Sequence, residues 1–247
     1  MQTEIDEQRQ ATSASLDAPM AKLQVRRLTE LDAAFAGFYA LLIVCHLVAA
    51  WLRTGWPGAV LTDALACLYL LALAVRLLWR PLLLRLLTLG LVAGVCELAT
   101  DAAGEGVAHS LNYPAGEPVL WASPFYMPVS WMVVLALLGY LGWRLRTLAP
   151  RPPIWLSAII CGLVGMATVP FYEEMAYRAG WWRYVPARNI GHTPLYVLFF
   201  EGAIAALLPL ITGALLRKPL RHAAFLGLVA GAWMPVAAFI AWFFLGR

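Results

Sequence analysis

The chain has 247 residues, of which 62% are hydrophobic and 13% charged, against roughly 45–50% apolar and 25% charged residues in soluble domains. A water-soluble fold has too little interior to hide that much apolar surface, which excludes the soluble enzymes and binding modules. The formal charge of +4 does not mark a nucleic-acid binder, because the Lys and Arg residues are scattered at the ends of apolar runs and form no patch.

In chain order, residues 1–28 come first. They are polar (Glu4, Asp6, Glu7 and Arg9, then Ala, Thr and Ser) and lack an apolar h-region. They predict a disordered cytosolic tail without a secretory signal, followed by a single transmembrane helical domain over 29–247. Seven apolar runs follow at roughly 34–53, 58–78, 81–103, 124–145, 153–171, 194–216 and 221–245, each near the length of about 20 residues that crosses the hydrocarbon of a bilayer. Pro81, Pro152 and Pro153 fall at helix starts, where a missing N–H is harmless. The fold class predicted is an all-α, polytopic transmembrane helical bundle of about seven spans.

Charge asymmetry fixes the orientation expected. With seven spans, one side receives Arg9, Lys22, Arg26, Arg27, Arg76, Arg80, Arg85, Arg144, Arg146, Arg151, Arg217, Lys218 and Arg221, and the other only Arg53, Arg178, Arg183, Arg188 and Arg247. The positive-inside rule then gives a cytosolic N-terminus and a multi-pass protein of the cell membrane. The connections near 104–123 and 172–193 lie together on the outer side. Both are acidic and aromatic and carry glycine and proline, so the functional face is expected there. The four cysteines, Cys45, Cys67, Cys96 and Cys161, sit singly inside apolar runs without metal-ligand spacing and read as packing thiols.

The chemistry rests on carboxylates. Glu97, Asp101, Glu105 and His109 recur every fourth residue, one stripe if the third helix runs past Gly104. Glu97 and Asp101 fall inside the apolar segment, where an ionised carboxylate costs several kcal/mol. Each must therefore face the protein interior, be paired, or carry a proton. Glu173 and Glu174 end the fifth span, and Glu201 lies about two turns into the sixth with no basic residue in its own helix. Asp63 and His46 are expected at similar depth, converging on the same side. The plainer readings are an interhelical polar clamp for Glu97 and Asp101, a solvated helix end for Glu173 and Glu174, and packing histidines at 46 and 192. Trp131, Trp182, Tyr184, Phe200 and Tyr113 belong to an aromatic company around these acids, for which an interfacial aromatic belt is the alternative. Acids among π-faces suit one reaction type: a carboxylic acid protonates an alkene, aromatic rings stabilise the cation, and the cation closes a ring or captures water.

The two acidic segments read as a degenerate internal repeat. One runs Glu97, Tyr113-Pro114, Pro124 and Pro128-Val129-Ser130-Trp131. The other runs Glu173-Glu174, Gly180-Trp181-Trp182-Arg183-Tyr184, Gly191-His192-Thr193-Pro194-Leu195 and Glu201. This pattern resembles the membrane proteins of carotenoid biosynthesis, the carotenoid 1′,2′-hydratase family and the small-subunit lycopene cyclases. Glu97, Tyr113, Pro128 and Trp131 fit its first half, and Pro170, Trp182, Tyr184, Gly191, Pro194 and Leu195 its second. Pro170-Phe171-Tyr172-Glu173-Glu174 is similar to the Pro-x-Glu-Glu element of the cyclases with one extra residue. Where the hydratases tend to carry Asn and Trp after the second Pro-Leu, this chain has Phe199-Phe200-Glu201-Gly202. The paired acids also resemble, by architecture, the membrane-bound terpene cyclases of meroterpenoid pathways.

The reading expected is an integral-membrane isoprenoid-modifying enzyme, hydrating or cyclising a lipid-soluble isoprenoid substrate drawn from the bilayer. Glu97 or Asp101 is its general acid and Glu173 or Glu201 its base or water-positioning group. Trp131, Trp182, Tyr184, Phe200 and Tyr113 form the substrate-binding walls. No cofactor is called for and no metal ligands are assigned, although a divalent ion held by carboxylates for a pyrophosphate-bearing substrate stays open. The other function class is a transporter or proton-coupled carrier using the same acids. A metal-dependent lipid oxidase is disfavoured by the four histidines of the chain, a retinal pigment by the absence of Lys between Arg221 and Arg247. A structural subunit is compatible with the sequence, and no oligomeric state follows from it.

Overall fold

A backbone inside hydrocarbon must satisfy its own hydrogen bonds, so long apolar runs become helices. In a computed structural model, which describes residues 28–76, 80–106, 108–148, 150, 152–185, 188–213 and 215–246, these runs do so. The helices are α1 (Leu28–Leu52), α2 (Trp56–Arg76), α3 (Arg80–Gly106), α4 (Met127–Thr147), α5 (Ile154–Ala179), α6 (Leu195–Thr212) and α7 (Leu220–Leu245). All seven are long and apolar enough to cross a membrane, and the chain is an all-α, multi-pass membrane protein. The tail expected at 1–28 lies outside the described residues, apart from Leu28, which begins α1.

By compactness the chain divides after Ala40, within α1. In the first unit Phe35 and Phe38 meet edge to face at 6.4 Å. In the second, α3 packs against α4 and α7, and α6 against α4, α5 and α7. Small residues make these approaches close, as expected where lipid supplies no hydrophobic drive between helices. A Cβ on Gly94 of α3 would stand 2.4 Å from the Pro128 carbonyl oxygen of α4, and one on Gly231 of α7 2.4 Å from the Cys96 Cβ. Helix α3 is thus clamped on two sides within a turn of Glu97.

Two helix ends differ from the sequence expectation. The fifth run, expected to end near 171, continues as α5 through Pro170 to Ala179 and stops at Gly180 in the left-handed conformation (φ 77°). Gly180 and Trp181 then donate to the Tyr177 and Ala176 carbonyls. Proline removes only one bond from a helix held by neighbours, so Glu173 and Glu174 are helical. Helix α3 ends at Gly106, and His109 is exposed with φ 49°. The four-residue stripe therefore stops at Glu105.

The α3–α4 and α5–α6 connections share one construction. Strand β1 (Leu111–Asn112) pairs antiparallel with β4 (Arg183–Tyr184), joining the two connections. Each then forms a hairpin, β2–β3 (Val119–Leu120 with Ser123–Pro124) and β5–β6 (Asn189–Ile190 with Thr193–Pro194). The turns hold Trp121 and Gly191 at the same φ of 61°. Each hairpin closes on an equivalent hydrogen bond, Phe125 N–H to the Pro118 carbonyl and Leu195 N–H to the Arg188 carbonyl. The succession helix, bridging strand, hairpin, helix is thus repeated, with an antiparallel pair where the two copies meet.

Candidate functional site

Four acids from three helices converge beneath the β1–β4 bridge. Glu97 and Asp101 lie one turn apart on α3 and are 2% and 7% exposed; Glu173, on α5, is 5% exposed. Glu201, half-buried on α6, acts electrostatically on Glu97 and feels Glu173 in turn, and Asp101 acts on Glu173. The glycine contacts of α3 and the packing of α5 on α6 bring these side chains together.

Each half contributes an acid tied to a tyrosine at the bridge. Tyr113, just after β1, donates its hydroxyl to Asp101 Oδ2 at 2.5 Å. Tyr184, in β4, donates to Glu173 Oε1 at 3.3 Å, while Trp182 Nε1–H donates to Oε2 at 2.7 Å. Burial, then the charges of Asp101 and Glu97, raise the Tyr113 phenol above its ordinary range; burial and Glu173 do the same for Tyr184. Both therefore stay neutral O–H donors.

The Glu97 environment differs. Asp101 and Trp131 are its hydrogen-bonding neighbours, and Ser123 is a further neighbour of Asp101. A contact between two carboxyls needs a proton on one of them, since a carboxylate only accepts. Glu97 Oε2 is buried and has no hydrogen-bond partner. No Arg, Lys or His among the described residues pairs with any of the four acids. The Trp131 and Phe200 rings meet edge to face at 6.1 Å, and Tyr196 meets Tyr184 at 6.3 Å.

All nine site residues expected from sequence thus fall in one neighbourhood. Asp63, Glu174 and His46 stand elsewhere. Asp63, buried on α2, accepts from Ser130 Oγ at 2.5 Å. Glu174 faces out and binds Arg178 and His192, both at 2.6 Å, with His192 stacked on Tyr177 at 3.5 Å. His46 Nδ1–H donates to the Leu42 carbonyl oxygen of its own helix at 2.7 Å. Its ring lies 4.8 Å from Tyr172 and 5.1 Å from Trp181. Among the described residues no three His, Cys, Asp or Glu side chains are grouped to hold a metal ion.

Sequence reasoning missed Glu117 and gave its partner Tyr126, counted only among the aromatics of the outer connections, no site role. Glu117, in the α3–α4 connection, is 8% exposed, accepts from the Tyr126 hydroxyl at 3.5 Å, and has a buried Oε1 without a partner. Burial pushes its carboxyl up to about 7, opposed by the Tyr126 bond and aided by Glu105. Burial and the Glu117 charge raise Tyr126 as well. An acid between Gly116 and Pro118 carries no periodicity that separates it from a solvated loop residue.

The fold and site define a multi-pass membrane protein with a buried carboxyl cluster, paired with no Arg, Lys or His among the described residues, at the junction of two similar halves. Residues 98–245 match the family described as a domain of unknown function (DUF6989), and the chain belongs to that family. No curated protein and no solved structure matches the chain.

Proposed function

We propose that this protein is an isoprenoid-modifying enzyme of the cell membrane, with its N-terminus in the cytosol, that starts hydration or cyclisation of a polyene or terpenoid by proton transfer from the Glu97–Asp101 pair. The observation that supports it is the pair of buried carboxyls one turn apart on α3, hydrogen-bonding neighbours that need a proton between them, beside a Glu97 oxygen with no partner and with no Arg, Lys or His among the described residues paired to the group. A positioned acid of this kind can protonate an alkene of a lipid-soluble substrate.

In the step proposed, the acid O–H bond breaks and a C–H bond forms with the alkene π pair, leaving a carbocation. The Trp131 and Phe200 rings and the negative cluster stabilise that charge. A second alkene or a water supplies the next electron pair. The last proton leaves to Glu173 or Glu201, so cyclisation gives an isomer and hydration adds one water.

A proton-coupled carrier is the second reading, favoured by the repetition of the two halves around the acids, since carrier sites often lie at such junctions. Expression in cells that accumulate linear carotenoid or terpenoid precursors, with mass spectrometry of the extracted lipids, separates the readings. A gain of one water or a new isomer, lost in Glu97→Gln, is the expected result. No new lipid from folded protein moves the assignment to the carrier.

A further inference from the structure

The two hairpins match in burial, strand for strand, and differ in what they show. In both, the second strand is packed against the body, Ser123–Pro124 in one and Thr193–Pro194 in the other, and the first strand stands outside. The outer arm of the second hairpin is Arg188-Asn189-Ile190-Gly191, mostly polar, and the next residue, His192, ties the hairpin to Glu174 of α5 at 2.6 Å. The outer arm of the first is Pro118-Val119-Leu120-Trp121. Val119 is 59%, Leu120 49% and Trp121 70% exposed. Ala122, in the place of His192, has no polar group with which to tie this hairpin down. Trp121 also keeps a left-handed turn (φ 61°) that its counterpart Gly191 fills without strain. A strained, exposed tryptophan after two exposed aliphatics calls for a partner that stabilises the ring where it stands.

We propose that hairpin β2–β3 is an interfacial anchor, with Val119, Leu120 and Trp121 lying among the headgroups and upper acyl chains of the bilayer, while hairpin β5–β6 stays in water. The level of the hairpin selects lipid as the partner. Phe125, 44% exposed at its base, meets Trp56 at the start of α2 edge to face at 6.5 Å. The turn before Trp56 is tied to the end of α5 by Gly55 N–H, which donates to the Ala179 carbonyl at 2.8 Å. Helix α1 ends beside this turn in Trp51 and Leu52, 83% and 59% exposed. Three residues after Pro124 the chain enters α4. The hairpin thus springs from the level at which four spans begin or end, and its apolar arm continues a rim formed there by Trp51, Trp56 and Phe125. Tryptophan prefers that level, where its ring lies in lipid and its N–H reaches water or headgroups. No residue from 118 to 125 is charged, so the arm enters the interface without burying a charge. The anchor uses no group of the carboxyl cluster and stands apart from the proposed reaction.

Fluorescent labels read the depth of each arm. The full chain carrying Cys45→Ala, Cys67→Ala, Cys96→Ala and Cys161→Ala is reconstituted in phosphatidylcholine nanodiscs, with an NBD dye on Leu120→Cys or on Ile190→Cys. The Leu120→Cys label is expected to emit at shorter wavelength, to lose intensity when the lipid carries a nitroxide high on its acyl chain, and to resist aqueous iodide. The Ile190→Cys label is expected to show the reverse. Trp121→Gly, which suits the turn and removes the ring, is expected to shift the Leu120→Cys label toward water. Circular dichroism equal to that of the unsubstituted chain shows that the variants fold. Equal quenching at the two positions, by iodide or by lipid, overturns the contrast on which the anchor rests. A Leu120→Cys label reached by neither quencher marks a protein surface in place of lipid and overturns it too, as does a label unchanged by Trp121→Gly.

Discussion

The two halves that meet at the β1–β4 bridge use the same backbone to hold their acids in different settings. In the second half both Glu173 oxygens are filled, one by Trp182 and one by Tyr184. In the first, Tyr113 takes one oxygen of Asp101, and Glu97 keeps an empty one. Position for position after the hairpin prolines, Trp131 of α4 stands where Glu201 stands in α6. The first half therefore pairs two acids on one helix with an aromatic opposite, and the second spreads its acids over two helices. A carboxyl saturated by N–H and O–H donors is set up as an acceptor, and a carboxyl touching another carboxyl as a donor. The repeated frame places the groups, and the side chains make the two settings differ.

The largest effect expected on breaking this comparison is at Glu97. Glu97→Gln keeps the shape and removes the proton, and is expected to lower product formation by about a hundredfold or more, measured by mass spectrometry of lipids from expressing cells. Glu201→Gln, which leaves the acid pair in place, is expected to lose clearly less. Next comes Glu173→Leu. It strands the Trp182 and Tyr184 donors, each worth about 1–3 kcal/mol when buried without a partner, so a lower Tm in detergent is expected. Combining it with Trp182→Phe should recover part of that loss, which a double-mutant cycle measures.

A smaller effect concerns pH. The Glu117 carboxyl is pushed up to about 7 in the folded chain, against about 4.3 when unfolded. The folded state thus binds more protons between these values, and stability falls as pH rises through that window. Glu117→Gln removes the dependence, so its Tm advantage over the unsubstituted chain should grow from about pH 4 to pH 7 and level off above. The smallest effect is in the hairpins. Gly191→Ala forces a side chain into a left-handed turn and is expected to cost about 1 kcal/mol. Trp121→Gly relieves the same strain but loosens the unfolded chain, for a net change of about 0.5 kcal/mol or less.

The spans were legible because an apolar run long enough to cross a bilayer has one solution, a helix. Glu97 and Asp101 stood out because four-residue spacing puts them on one face, and Glu201 because its helix offers no counter-charge. What the sequence could not show lies in the connections. Two-residue strands such as Leu111–Asn112 have no period to detect. The difference between buried Glu173 and outward Glu174 depends on α5 continuing past Pro170, which a proline rule argues against. Glu117 became a site residue only when the loop folded it against Tyr126.

The central claim is that the first half delivers a proton to carbon. Its most direct test is conversion of linear carotenoid and terpenoid precursors by the purified protein in D2O, with the product examined by mass spectrometry. One carbon-bound deuterium per product molecule, with conversion lost in Glu97→Gln, is the result predicted. Conversion without deuterium, or conversion undiminished in that variant, would contradict the account.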